Sequence, residues 1–471
     1  MKKTKIICSI GPSSSNTDVF YKMVLAGCNV ARINFSHATI EEREKVVSVV
    51  KEVREMSKMP IGILYDTKGP EFRNGVVKDG GINLVPGMEI KIVKDDVIGD
   101  EERFTVNHKN AIDSLNIGDI ILLENGLMKI EVIEKGIDFV NCKIITGGIL
   151  ESKKSLSVPG VKLDIPFISE EDYKDIVYAC SHDANFLACS FVSTKEEVLE
   201  VRKILKEHNR EDLKIISKIE SQTGINNLES IIEVSDGIMV ARGDLGVEIP
   251  MEDLPVCQKK IIETCRKKGK LCIVATEMLE SMKKNIRPTR AEVTDIANAV
   301  FNGADCVMLS GETTTGLHPI EAVSYMASIC EHIENANDNS HIFETKITNP
   351  MEAIAKSVTD TANSLSAKLI VIPTITGSTA TLVSNFEPKC PILTLTTDEK
   401  VAESLVLNYG IYPKVVNEYK VTDEVFGESR KEAMEFMNLN KGDVVIMTAG
   451  FNSDKNSKEV AKTNLMKIEI I

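Results

Sequence analysis

What the 471-residue chain lacks narrows its class first. No apolar run reaches the length that spans a bilayer, so no membrane span and no membrane partner is expected. The opening MKKTKIICSIG has no apolar core of the secretory-signal kind, so a cytoplasmic place is expected. There are eleven cysteines but no Cys-x-x-Cys pair. Several sit in apolar runs, as Cys8, Cys189, Cys272 and Cys306 do, and read as buried, reduced thiols. Positive charge is also short. The formal net charge is −14, which argues against non-specific binding to nucleic acid. An acidic protein that handles an anion must gather its cations locally. No internal repeat is visible.

What is present is enough apolar residue, 43%, for real cores, and a length that predicts about three domains. Apolar runs at 6–10, 30–35 and 61–65 read as strands separated by helices, one opened by the pair Thr39 and Glu42. The rhythm breaks at 75–157. Short β-type runs at 89–93, 119–123, 128–133 and 139–145 alternate there with turn signals, Asn125-Gly126 the clearest. Alternation returns near residue 164, with Ser169 and Asp172 placed to start a helix. Strands follow at 186–191, 213–219, 237–241, 271–275 and 306–309. Helices open at Thr194 with Glu197 and at Thr289 with Glu292. Three strands before the insertion and five after make eight, the count of a TIM (β/α)8 barrel. The barrel is expected over 1–69 and 164–335, with an inserted β-barrel lid over 70–163. The polar stretch 334–350 reads as a linker. A C-terminal α/β domain of about five strands is expected over 350–471.

Polar residues gather where the apolar runs stop. GIMVARGDLGVEIP (237–250) puts Arg242, Gly243 and Asp244 at one strand end. IISKIE (215–220) puts Lys218 and Glu220 at another, two apart and so on one face. Arg32, Asn34 and Ser36 share a face at the end of the second run, and a core lined with Arg and Asn is costly unless they are paired or face a cavity. Asp66-Thr67, Thr276-Glu277 and Ser310–Thr313 end three more. An ammonium beside two carboxylates suits a divalent metal and an anionic substrate. The same carboxylates also suit plain salt bridges to Lys218 or Arg242, and both readings stand on the residues alone. Gly243 lets the backbone approach a ligand.

These stretches carry a resemblance. CSIGPSS (8–14), ARINFSH (31–37), DTKGPEFR (66–73), ISKIES (216–221), MVARGDLGVEIP (239–250), ATEMLESM (275–282), RPTRAEVTDIANAV (287–300) and VMLSGETTTGLHPIEAV (307–323) resemble the pyruvate kinase family, in that family's order and across essentially the whole chain. The resemblance implies transfer of the phosphoryl group of phosphoenolpyruvate to ADP, giving pyruvate and ATP in the last step of glycolysis. It implies Mg²⁺, with Mn²⁺ as an alternative, on Glu220 and Asp244. Lys218 matches the phosphoryl-stabilising lysine and Arg32 the arginine on the phosphoryl group. Gly243, Asp244 and Thr276 match substrate contacts, with Thr276 also near the carbon that is protonated. Asn34, Ser36, Asp66 and Thr67 match a K⁺ site, and Glu71 the position that accompanies K⁺ dependence. His37, Arg73 and Lys154 match nucleotide contacts. The resemblance also implies a homotetramer. Thr374, Thr376, Gly377, Ser378 and Thr379 form a turn able to bind phosphate, which implies a phosphorylated allosteric effector.

The chain departs from the family pattern in places. Glu277 stands where Gln is common, Ser155-Leu156-Ser157 where Gly-Val-Asn is common, Asn125 where Asp is common and Ser193 where Arg is common. Glu387 replaces a common Arg, and 452–462 lacks the usual glycines, which leaves the effector's identity open. A different Mg²⁺-dependent enolate enzyme on the same fold, or a silent relative, is the competing reading. Lys218, the cation-site residues and the lid favour the kinase. No P-loop is present, and none is needed where positioning and charge neutralisation drive the transfer.

Overall fold

The computed structural model describes residues 1–36, 38–336, 347, 349–417, 422–450 and 463–471. Eight short strands close the central barrel: β1 (Lys5–Ser9), β2 (Val30–Asn34), β3 (Gly62–Asp66), β4 (Phe186–Cys189), β5 (Lys214–Ile219), β6 (Gly237–Ala241), β7 (Leu271–Ala275) and β8 (Cys306–Leu309). All pair in parallel, in the circular order β1-β8-β7-β6-β5-β4-β3-β2. Each strand faces the lumen on one side and helices on the other, which is why its sequence is mostly apolar, with charge gathered toward the strand ends. Ile7, Leu64, Ile216 and Met239 fill the lumen. Capping boxes at Thr39/Glu42, Ser169/Asp172, Thr194/Glu197 and Thr289/Glu292 open four of the outer helices, as expected.

Register brings the functional ends level. Asn34 lies opposite Asp66, Asp66 opposite Ala188, and Cys189 opposite Ser217. The residue after each strand therefore opens at the same rim.

Between β3 and β4 the chain builds a separate curled sheet of six strands, with a two-stranded ribbon beside it. Its core includes Ile90, Phe104, Ile121, Ile130 and Val140. Leu123 pairs with Met128 across the expected hairpin, where Asn125 and Gly126 take positive φ of 55° and 84°. Strands Ile82–Leu84, Arg103–Thr105, Gly148–Leu150 and Leu156–Ser157 are too short to show alternation, and the sequence did not reveal them.

Among the described residues the C-terminal domain has five strands: β9 (Leu369–Pro373), β10 (Ile392–Thr396), β11 (Ile411–Val415), β12 (Val444–Gly450) and β13 (Thr463–Ile470). Their order is β11-β10-β9-β12-β13, with only the last pair antiparallel. One expectation is corrected. Glu334 opens no linker but lies buried in the helix Pro319–Ala336. Its two oxygens accept from the backbone N–H groups of Lys3 at 2.7 Å and Thr4 at 2.6 Å, so this charge ties the last barrel helix to the start of β1. Residues 337–346 and 348 of the expected linker lie outside the described residues, and Pro350 begins a helix. No helix among the described residues is long and apolar enough to cross a membrane, and all eleven cysteines are free.

Candidate active site

The rim of the barrel and the underside of the lid enclose a cleft of about 500 Å³. Lys218 projects into it from the end of β5. Its Nζ donates to Ser190 Oγ at 2.8 Å and to Asp66 Oδ1 at 3.1 Å, and lies 3.1 Å from Glu220 Oε1. Burial pulls the ammonium down, but Asp66 and Glu220 outweigh it and hold Lys218 above its ordinary value. Arg32, from β2, gives Nε to Asp66 Oδ2 at 2.7 Å and Nη1 to Ser9 Oγ at 2.7 Å. Asp66 thus carries one cation on each oxygen. Burial pushes its carboxyl up, yet Lys218 and Arg32 keep it below the ordinary range.

Glu220 is fully buried. One oxygen accepts the Phe191 N–H at 2.6 Å, whereas the other, Oε1, accepts no hydrogen bond. The contact of Oε1 with Lys218 is close enough for an ion pair but is not directed as a bond. Burial, opposed by Lys218 and reinforced by Asp244 and Asp66, pushes the Glu220 carboxyl up to about 7. Asp244 stands exposed in the first turn of the helix Arg242–Glu248 and lines the same cleft. Arg242 ignores it, pairing instead with Asp295 and the Thr276 carbonyl. The salt bridge open to Glu220 is thus formed, and the one open to Asp244 is not. Three carboxylates then face two cations, and one carboxylate oxygen is buried without a donor. That donor set fits a hard divalent cation completed by substrate oxygens.

Asn34, Ser36 and Thr67 line the cleft beside Asp66. Asn34 Oδ1 accepts from Ser36 N at 3.0 Å, and Thr67 Oγ1 accepts from Ser190 N at 3.2 Å. Gly243 and Thr276 sit together next to the cleft. The Gly243 N–H donates to Thr276 Oγ1 at 2.9 Å, and the hydroxyl donates to the Ala275 carbonyl at 2.6 Å. Thr276 and Glu277 hold φ of 69° and 55°, a strained backbone for a β-branched residue and its neighbour.

At the lid root, Arg73 grips both oxygens of Glu71, at 2.9 and 2.8 Å, and the Lys153 carbonyl at 2.8 Å. Lys154 pairs with Glu124 and Glu151, each at 2.7 Å. His37 lies outside the described residues. The departures at Asn125 and Ser155 meet, for Ser155 Oγ donates to Asn125 Oδ1 at 2.8 Å. Ser157 Oγ bonds to Glu248, on the helix that carries Asp244. Ser193 N–H donates to Glu197 Oε2 at 2.7 Å. In the C-terminal domain, Gly377 takes φ of 81° before the helix Ser378–Asn385, and its N–H donates to Thr374 Oγ1 at 2.9 Å. Thr376 and Ser378 hydroxyls are 2.8 Å apart, and Thr379 bonds to Thr463. Glu387 meets Arg266 of the barrel at 2.7 Å.

Sequence reasoning assigned no role to Ser190. It binds Lys218, Asp66 and the Thr67 carbonyl from the end of β4. Its place just after a buried apolar run was the available signal.

Cations held by carboxylates at the open rim of a (β/α)8 barrel, under a lid, mark a barrel enzyme built for a small, multiply charged anion. Comparison with known proteins narrows that class. Residues 1–323 match the pyruvate kinase barrel domain and residues 352–469 the pyruvate kinase alpha/beta domain. Pyruvate kinase of Staphylococcus haemolyticus is 42% identical over 477 residues, covering 100% of this chain and 81% of the relative. That of Clostridium perfringens is 41% identical over 479 residues, covering 100% of both. A crystal structure of a pyruvate kinase from Cryptosporidium parvum superposes with a TM-score of 0.94 at 38% identity, covering 100% of this chain and 96% of that one. The chain belongs to the pyruvate kinase family, and it is a phosphotransferase that converts phosphoenolpyruvate and ADP to pyruvate and ATP.

Proposed function

We propose that Lys218 and Arg32 neutralise the transferring phosphoryl group, while Glu220 and Asp244 would hold Mg²⁺ or Mn²⁺. The observation that carries this is Lys218, a largely buried ammonium fixed by Ser190 and Asp66 beside a carboxylate with a free oxygen. The P–O bond of the enol phosphate breaks with its electron pair left on the enolate oxygen, the phosphoryl group passes to a β-phosphate oxygen of ADP, and the enolate is left to take a proton. Glu220 and Asp244 would hold a divalent ion, which would supply Lewis acidity for the negative charge that develops on the substrate oxygen. Lys218, preorganised before substrate arrives, offers its charge with little reorganisation. Thr276 and Gly243 orient the substrate carboxylate, and Thr276 lies beside the carbon that is protonated. Arg73, Lys154 and His37 contact the nucleotide under the lid, whose closure excludes water.

Asn34, Ser36, Asp66 and Thr67 would hold K⁺. They offer neutral oxygens and a single carboxylate, too weak a charge for Mg²⁺ but enough for a large monovalent ion. Asp66 is shared with two cations already, which weakens the site further. Glu71 acts on this ion from the lid root rather than as a ligand, since Arg73 takes both its oxygens. The turn 374–379 would take a phosphorylated effector, supported by the left-handed Gly377 and its row of hydroxyls. Free cysteines support work in the cytoplasm, and the domains divide as 1–69 with 164–335, 70–163 and 350–471. Family resemblance supports a homotetramer; light scattering that gives a stable monomer at micromolar concentration refutes it.

A coupled assay with phosphoenolpyruvate, ADP, Mg²⁺ and K⁺, omitting one component at a time, tests the whole reading. Pyruvate release should vanish without ADP or the divalent ion and fall steeply without K⁺. Lys218→Met should cost at least about 10²–10³ in turnover, as lost preorganised donors do, while phosphoenolpyruvate still binds. Near-normal turnover in that variant refutes its role.

A further inference from the structure

Asn34 and Ser36 stand at the end of β2, in the connection that leads to Thr39, the cap of the helix Ile40–Ser57. Loops of this kind place ligands well only when something fixes their carbonyls. One buried side chain does so. Arg43 Nη2 donates to the Phe35 carbonyl at 3.1 Å, and its Nε donates to the Ala38 carbonyl at 2.9 Å. The remaining arm, Nη1, meets Asp175 Oδ1 at 2.7 Å on the helix Glu170–Ser181. The guanidinium also lies over the Phe35 ring at 4.3 Å. That ring in turn stacks on Tyr65 of β3, with centroids 5.0 Å apart.

The carbonyls on either side of Ser36 are thus held from behind the loop, and Ser36 lines the cleft. The Ser36 N–H in turn fixes Asn34 Oδ1. A planar fork with donors in fixed directions suits two carbonyls and a carboxylate at once, which a lysine cannot match.

We propose that Arg43 is a positioning residue for the monovalent cation, setting the spacing of the Asn34 and Ser36 oxygens through the Phe35 and Ala38 carbonyls that it holds. The proposal rests on reading Asn34, Ser36, Asp66 and Thr67 as the K⁺ site. Arg43 does not line the cleft, and the Mg²⁺ residues stand just after β5 and after β6. Its loss is therefore read in the response to K⁺ and not in the response to Mg²⁺.

The test is steady-state turnover of the full chain across K⁺ and Mg²⁺ titrations, for the parent, Arg43→Ala, Arg43→Lys and Asp175→Asn. The K⁺ half-saturation of Arg43→Ala should rise about tenfold or more, as when partners that orient metal ligands are removed. Turnover at saturating K⁺ and the Mg²⁺ curve should stay close to the parent's. Added guanidinium ion should bring the K⁺ curve of Arg43→Ala part of the way back. Arg43→Lys and Asp175→Asn should give smaller shifts in the same direction, and they carry the test if Arg43→Ala does not fold. A parent that needs no monovalent cation overturns the K⁺ site itself, and this inference with it. A K⁺-dependent parent whose variants overlay its K⁺ curve overturns only the role of Arg43. Equal shifts for K⁺ and Mg²⁺ without guanidinium rescue also overturn it, for Arg43 then serves packing alone.

Discussion

Glu220 and Asp244 carry the same charge in different settings, and the difference predicts unequal mutants. Asp244 is exposed and accepts nothing from Arg242, so Asp244→Asn should act mainly by weakening the metal. Glu220 is buried between the Phe191 N–H and the Lys218 ammonium. In Glu220→Gln the amide oxygen must serve Phe191, which turns the NH₂ toward Lys218, donor against donor. Both variants should need far more Mg²⁺ than the parent, and Glu220→Gln should also lose turnover at saturating Mg²⁺. Overlaid Mg²⁺ titrations would place the metal elsewhere. Glu71→Lys should restore part of the turnover in K⁺-free buffer, because an ammonium partly replaces the ion's field. Full parental activity with K⁺, Na⁺ and NH₄⁺ all absent would remove the case for Glu71. At this scale Lys218, Glu220, Arg32 and Asp66 were legible, since charge at the end of an apolar run is conspicuous. Ser190 was not, because serine is unremarkable where a strand meets a loop. Nor was the strain at Thr276, since nothing in its residue type announces a positive φ.

Among the elements, the barrel strands were legible nearly to the residue. β6, β7 and β8 match the apolar runs at both ends, because two-sided burial leaves no polar gap. The lid was legible only where strands exceed four residues or a turn is as specific as Asn125-Gly126. Its departures from the family pattern gain sense in the fold: Ser155 and Asn125 satisfy each other, and Ser157 ties the lid to the helix that bears Asp244. Burial raises the Glu248 carboxyl, and the Ser157 hydroxyl opposes that rise, so the bond favours the charged form. Ser157→Ala should loosen the lid. The lost bond is worth about 1 kcal/mol, which corresponds to about a fivefold higher KM for ADP, with turnover less affected. Hydrogen exchange at 153–158 should quicken as well. A variant with parental KM and parental exchange would show that the bond does not govern closure.

For the whole molecule, eight strands and an insertion could be counted from the sequence, but the docking of its C-terminal domain could not. The three cations of the opening Lys-Lys-Thr-Lys gave no sign of burial. Yet Lys5 is 1% exposed, with Nζ bonded to the Ile411 carbonyl of β11 and 4.2 Å from the Tyr412 ring centre. Burial, aided by Lys2, pulls its ammonium down to about 7 from an ordinary 10.5. The direction of the pH effect follows. Below about pH 7 both folded and unfolded chains hold this proton, so the group's effect on stability is constant there. Between about 7 and 10.5 the unfolded chain holds a proton that the folded chain lacks, and stability gains as pH rises. Lys5→Met removes this titration and leaves the rest of the molecule's profile in place. The difference in unfolding free energy between parent and Lys5→Met should therefore move in the parent's favour from pH 7 to 9.5. The slope should be at most about 1.4 kcal/mol per pH unit. Urea-unfolding midpoints followed by circular dichroism measure it, since the chain has no tryptophan. Parallel pH profiles for the two proteins would mean that Lys5 stays charged beneath the domain interface.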